Sequence, residues 1–206
     1  YPEKLNFTIF NLFSIRYRLY KEIYTHPCVE QIEFMFVDVL KKSNNYFKLK
    51  ESIYDMEKFI KFNDTIFNQI EFSTCNELKK SRELLEQIRC RNLYKYIGFV
   101  YRPFHVFYTP ENFKSFSNNL LKDDFIISNN TIGYTNYEKN PIDNISFYKF
   151  NDINKKFKLK KNEISELLPN KYNENITRIF CKNPDKLKEV QRTFKFFREN
   201  INSILL

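Results

Sequence analysis

The hydrophobic period of this chain changes near Arg91, and that change limits what it can fold into more than any other feature. Before it, apolar residues recur at three- and four-residue steps, the spacing of helices that bury one side. Val29, Ile32, Phe36, Val39 and Leu40 form one such face, and Met56, Phe59, Ile60, Ile66, Phe67 and Ile70 another. Pro27 ends the first helix and can open the second at its first turn. A polar stretch around 43–50 follows, and Asn76 is placed to cap a further helix through Leu78, Leu84, Leu85 and Ile88. After Arg91 the run Leu93 to Tyr101 is aromatic and β-branched, the signature of a strand. Thr109-Pro110-Glu111 starts a short helix to about Leu121. Further strands are expected at 124–127, 144–150, 157–159 and 175–181, with a short helix at 163–168. Leu187, Val190, Phe194, Phe197, Ile201 and Ile204 then restore the helical step. Helices first and strands later predict a mainly α chain with an α+β second lobe: a helical part over 1–91, then 92–206 with an antiparallel sheet and a long C-terminal helix.

Composition narrows the class. The 206 residues can bury one good core or two small ones, and 42% hydrophobic content argues against disorder. Phe (23) and Tyr (14) abound while Gly is down to 2 and Ala is absent, a bias that matches AT-rich codons. The net charge of +9 would suit a polyanionic partner, a nucleotide or single-stranded nucleic acid, but lysine drift under the same bias yields the same balance. Cys28, Cys75, Cys90 and Cys181 are scattered without CxxC spacing, and read as reduced thiols of an intracellular protein. No run is apolar enough to span a membrane, so no membrane partner is expected. The opening at Tyr1, close to a helix, reads as part of something longer.

Residues 11–26 carry the first candidate site. Phe10, Phe13, Tyr17, Tyr20 and Tyr24 line one side of a helix, and Ile9, Leu12, Leu19 and Ile23 fill a second apolar row. The helix is therefore expected to be buried on more than one side. Arg16 falls in that second row, where a guanidinium is costly unless it meets an anion. Tyr24 lies eight positions on, roughly 12 Å along the axis, about the reach from the phosphates of a nucleoside triphosphate to its sugar. The residues alone leave two readings open, and the commoner is an internal Arg–Glu pair joining two helices. His26 and His105 do not adjoin an aspartate, and the chain has no Gly-rich phosphate loop, GxSxG, HExxH or triad. Neither a catalytic residue nor a metal ligand is assigned in it.

Four stretches nevertheless carry a resemblance. They are Leu12-Phe13-Ser14-Ile15-Arg16 with Tyr24-Thr25-His26, then Asp55-Met56-Glu57 with Asn63-Asp64-Thr65-Ile66-Phe67. Arg91-Asn92-Leu93-Tyr94-Lys95-Tyr96 is the third, and the fourth runs from Glu138-Lys139-Asn140-Pro141-Ile142-Asp143 to Tyr148, with Leu167-Leu168-Pro169-Asn170-Lys171 after it. In order and spacing they resemble the C-terminal half of the deoxynucleoside triphosphate triphosphohydrolases of the HD superfamily, nearest the eukaryotic type that joins a SAM domain to an HD domain. The segment between Gly98 and Asp124 is shorter and different.

The resemblance implies the helical part of an HD-domain fold followed by a regulatory and oligomerisation lobe. It implies hydrolysis of dNTPs to deoxynucleoside and triphosphate at a divalent metal held by an upstream His-Asp set. It also implies activation by GTP and dNTP between subunits of a dimer or tetramer, in the nucleus or cytoplasm. By resemblance Arg16 holds substrate phosphates and Tyr24 packs on the sugar, which reverses the preference for an internal ion pair. Arg91 and Lys95 match residues that hold the activating guanine nucleotide, and Lys139 and His26 match residues of the adjoining nucleotide site. Two departures fall in that second site: Glu22 stands where the family has arginine, and Pro27 where it has lysine. The alternative reading is a non-catalytic nucleotide- or nucleic-acid-binding interaction module.

Overall fold

The computed structural model describes residues 1–135 and 138–201. Helix α1 (Asn6–Leu19) runs on into a π-type turn, Tyr20–Tyr24. Helix α2 (Pro27–Phe47) then begins: proline at its first position sacrifices no hydrogen bond, and the His26 Nδ1 accepts from the Cys28 amide at 3.2 Å. It stops where Lys48 adopts φ 58°, the left-handed helix terminator. Three short helices follow, α3 (Leu49–Ser52), α4 (Met56–Phe59) and α5 (Ile66–Phe72), and then α6 (Lys79–Arg89). Arg91, at φ 57°, turns the chain from α6 toward the sheet.

Strand β1 (Lys95–Tyr101) is followed by α7 (Pro110–Lys114), β2 (Phe125–Gly133), the hairpin β3 (Phe147–Lys149) and β4 (Asp152–Phe157), α8 (Lys161–Ile164), β5 (Asn173–Cys181) and α9 (Leu187–Asn200). The main sheet is antiparallel in the order β1-β5-β2, so the last strand lies in the middle. β5 is covered on both faces: Ile179 and Cys181 join Val190 and Phe197 of α9, while the Phe180 ring meets Phe34 of α2 at 5.3 Å. A second core gathers Met35 and Val39 of α2 with α5, α6, Leu93 and Tyr94. The third packs Phe10 of α1 on Ile142, Phe147, Leu159 and Tyr172. This is the mixed α plus β architecture that the change of period predicts.

Several expectations are corrected. Helix α1 is buried on one side only: Leu12, Leu19 and Ile23, from the second apolar row, are exposed. Asn76 does not cap α6 but begins a separate 3-10 turn, Asn76–Leu78, ahead of it. The α7 helix stops at Lys114, the strand expected at 157–159 lies earlier as β4, and the helix expected at 163–168 is α8 at Lys161–Ile164. β2 runs well past Ile127 through Ser128-Asn129-Asn130-Thr131, because those polar side chains have partners: Asn129 Oδ1 accepts from Thr177 Oγ1 at 2.6 Å, and Thr131 Oγ1 donates to Asn175 Oδ1 at 2.7 Å. Ile204, assigned to the last helix from its spacing, lies outside the described residues.

Candidate functional site

Arg16, Tyr20 and Tyr24 stand one above another, four residues apart. The guanidinium of Arg16, half-buried, lies over the Tyr20 ring at 4.2 Å, a cation–π contact, and Tyr20 meets Tyr24 edge-on at 5.3 Å. Arg16 is thus not set in an apolar interior as its row predicts; the row around it faces outward. Tyr24 is 54% exposed, so its ring is presented rather than packed. The π-type turn that carries it is closed by Thr25, whose N–H and Oγ1 both donate to the Tyr20 carbonyl, at 2.9 and 2.7 Å. Such π turns cluster at functional sites. His26 follows at once, exposed, with Nδ1 used in capping α2. Glu22 is exposed on the same turn, and Pro27 is the first residue of α2.

The second group lies elsewhere. Arg91 and Lys95 are exposed at the entry to β1, and Lys95 lines a recess of about 640 Å³ with Lys41, Lys42, Lys182 and Asp123. The recess floor is organised by Asp38, which accepts from the Tyr94 hydroxyl at 2.7 Å and pairs with Lys182 at 2.5 Å. Burial pushes the Asp38 carboxyl up, but the bonds from Lys182 and Tyr94 prevail and hold it below the usual range. Burial, reinforced by that bond to Asp38, raises Tyr94, so its hydroxyl stays a donor. Lys139, exposed, sits next to Glu138, which lines a separate cleft of about 840 Å³.

That cleft has no counterpart in the sequence reading. Tyr17 and Tyr134 stack face to face in it at 5.3 Å, and Glu174 accepts from the Tyr17 hydroxyl and from Lys21 at 2.5 and 2.7 Å. Arg102, buried, ties its loop together by donating to the carbonyls of Pro103, Phe104 and Val106. A lone arginine before a proline gives no sequence signal for such a role. Among the described residues no three His, Cys, Asp or Glu side chains converge as a metal-ligand set, so the divalent ion implied by the resemblance does not fit here. No helix among them is long and apolar enough to cross a membrane.

No protein-family model matches the chain. Individual proteins do. It is 32% identical to the deoxynucleoside triphosphate triphosphohydrolase SAMHD1 homolog of Dictyostelium discoideum, over 95% of this chain and 39% of that protein. Human SAMHD1 is 31% identical over 86% of the chain and 32% of its own length. An HD domain-containing protein of Acanthamoeba polyphaga mimivirus is 25% identical, over 88% of the chain and 44% of its own length. The names of these relatives place the matches among HD-domain proteins. Over most of its own length the chain matches the proteins named SAMHD1, and it spans between about a third and somewhat over two-fifths of the length of these relatives.

Proposed function

We propose that this chain is the nucleotide-contacting portion of a larger dNTP triphosphohydrolase, supplying a substrate arm and effector contacts to a catalytic centre outside it. The observation that carries the reading is the Arg16–Tyr20–Tyr24 ladder, with a cation and a presented ring eight positions apart, inside a chain similar to that family over most of its length. Arg16 would grip the triphosphate, because its planar fork makes two parallel charge-assisted bonds to phosphate oxygens. Tyr20 supports that fork from beneath. Tyr24 would pack on the sugar where a 2′-hydroxyl would stand, and so favour deoxyribonucleotides sterically. Arg91 and Lys95 would hold a guanine nucleotide, and His26 and Lys139 an adjoining one, between copies of the chain in a dimer or tetramer. Glu22 and Pro27 weaken that adjoining site, since a carboxylate repels a triphosphate and proline offers no charge.

The test is steady-state hydrolysis of dNTPs by the native full-length protein and its Arg16→Ala variant. Charged hydrogen bonds contribute about 1.5–3 kcal/mol each, so kcat/KM is expected to fall roughly tenfold to a hundredfold or more. Arg16→Lys should recover only part, since it keeps the charge and loses the fork. Unchanged kinetics with a lowered Tm would make Arg16 a structural residue and refute the reading.

A further inference from the structure

Thr25 joins the turn that carries Tyr20 and Tyr24 to helix α2, and it is held from both sides. Its N–H and Oγ1 close the turn on the Tyr20 carbonyl, while its own carbonyl accepts from Nη1 of Arg178. Arg178 belongs to the central strand β5, opposite Phe99 of β1 and Ser128 of β2, and is 6% exposed. Its counter-charge is Glu30 of α2, 4% exposed, with Oε2 at 3.0 Å from Nη1. That approach is an ion pair without hydrogen-bond alignment; the aligned N–H goes to Thr25. Glu30 is fixed in turn by β2, through Asn130 Nδ2 at 2.5 Å and Ser128 Oγ at 3.3 Å.

The physical question is what two buried charges add here. A buried ion pair is weak support for stability, because apolar side chains of similar volume fill the same space as well or better. What apolar side chains cannot do is hold a carbonyl at the end of a helix, where backbone acceptors lack intrahelical partners. The outer side of the turn offers little else to hold it, since Ile23 and Tyr24 are both more than half exposed. We propose that Arg178 is a positioning residue: paired with Glu30, it anchors the Thr25 carbonyl to the sheet, so that β5 sets where the Tyr24 ring and His26 stand. The proposal rests on Tyr24 being the sugar contact, and it adds sugar selectivity to what the sheet controls.

The experiment uses the native full-length protein with Arg178→Lys and with the pair Arg178→Met, Glu30→Gln. The pair removes both charges, but the amide introduced at position 30 keeps an oxygen for Asn130 and Ser128. Amide exchange is read at Thr25 and His26, whose N–H groups donate to Tyr20 and Ile23, with α9 as the internal control. These two amides should exchange about tenfold faster in the pair, the scale of one charged hydrogen bond lost, with α9 unchanged. The ratio of kcat/KM for a dNTP to that for the matching rNTP should fall by about the same factor, with partial rescue by lysine. Wild-type exchange and an unchanged ratio in the folded pair would overturn the proposal. Equal acceleration in α9 would also overturn it, since Arg178 would then serve only global stability. If the pair fails to fold, the same two comparisons are made on Arg178→Lys. A wild-type enzyme without preference for the deoxy sugar would refute the role of Tyr24, and exchange at Thr25 would still decide the anchor.

Discussion

Replacing Asp38 by alanine should unlock the junction between α2, the entry to β1 and the exit of β5. Asp38 is the common acceptor for the Tyr94 hydroxyl at 2.7 Å and the Lys182 ammonium at 2.5 Å, with its side chain 10% exposed. The variant loses a charged hydrogen bond, about 1.5–3 kcal/mol, and leaves the buried Tyr94 hydroxyl without an acceptor at a further cost of about 1–3 kcal/mol. Lys182 is 22% exposed and can turn toward water, so the lower half of the summed range applies, roughly 3 kcal/mol. For a chain of this size that corresponds to a fall in Tm of about 6–12 °C. Urea unfolding followed by circular dichroism would measure it for Asp38→Ala, Tyr94→Phe and the double variant. The double variant should be less destabilised than Asp38→Ala, because removing the phenol hydroxyl removes the cost of its missing acceptor. The pH dependence has a definite sign. The folded-state pKa of Asp38 is depressed, so its contribution is full above the unfolded aspartate value of about 3.9 and is lost as pH falls through the folded value. The gap between wild type and Asp38→Ala must therefore narrow on acidification. A gap under about 1 kcal/mol at neutral pH, or one that does not narrow in acid, would refute the reasoning.

Two further substitutions probe the packing around the sheet. A Cβ on Gly133 would stand 2.5 Å from the Tyr172 carbonyl oxygen and 2.7 Å from Asn173 Cβ, at the register pair that ends β2 and begins β5. Since backbone must shift there, Gly133→Ala should cost about 1–3 kcal/mol in urea unfolding, and more than Gly98→Ala, which meets only the Phe194 ring. Phe197 is fully buried among the rings of Tyr108, Phe113 and Phe116, so Phe197→Ala should cost about 3–5 kcal/mol in the same assay; a cost under 1 kcal/mol would mean that α9 is not fixed to the sheet.

What can be read in the sequence and what cannot divides by range. His26-Pro27 marks the start of α2 and the apolar spacing from Leu187 marks α9, because capping and period are local properties of the chain. The spacing of Arg16 and Tyr24 is legible for the same reason: they share one helix and its π-type extension, so spacing in sequence is spacing in space. The surroundings of that helix are not local, and its second apolar row faces outward, with Leu12 64% exposed. Only the first part of β2 is legible, because Ser128-Asn129-Asn130-Thr131 shows no apolar alternation; its place in the sheet depends on Thr177, Asn175 and Glu30, all distant in sequence. The anchor on Thr25 is the extreme case. Arg178 lies 153 residues away from it, inside a strand that reads as ordinary apolar core, and nothing near Thr25 asks for a cation. A helix can carry its own binding groups, but the orientation of its end is fixed by whichever strand the fold brings beside it. In this chain that strand is β5, the middle of the sheet, so the proposed anchor makes the pose of Tyr24 depend on the sheet being in place.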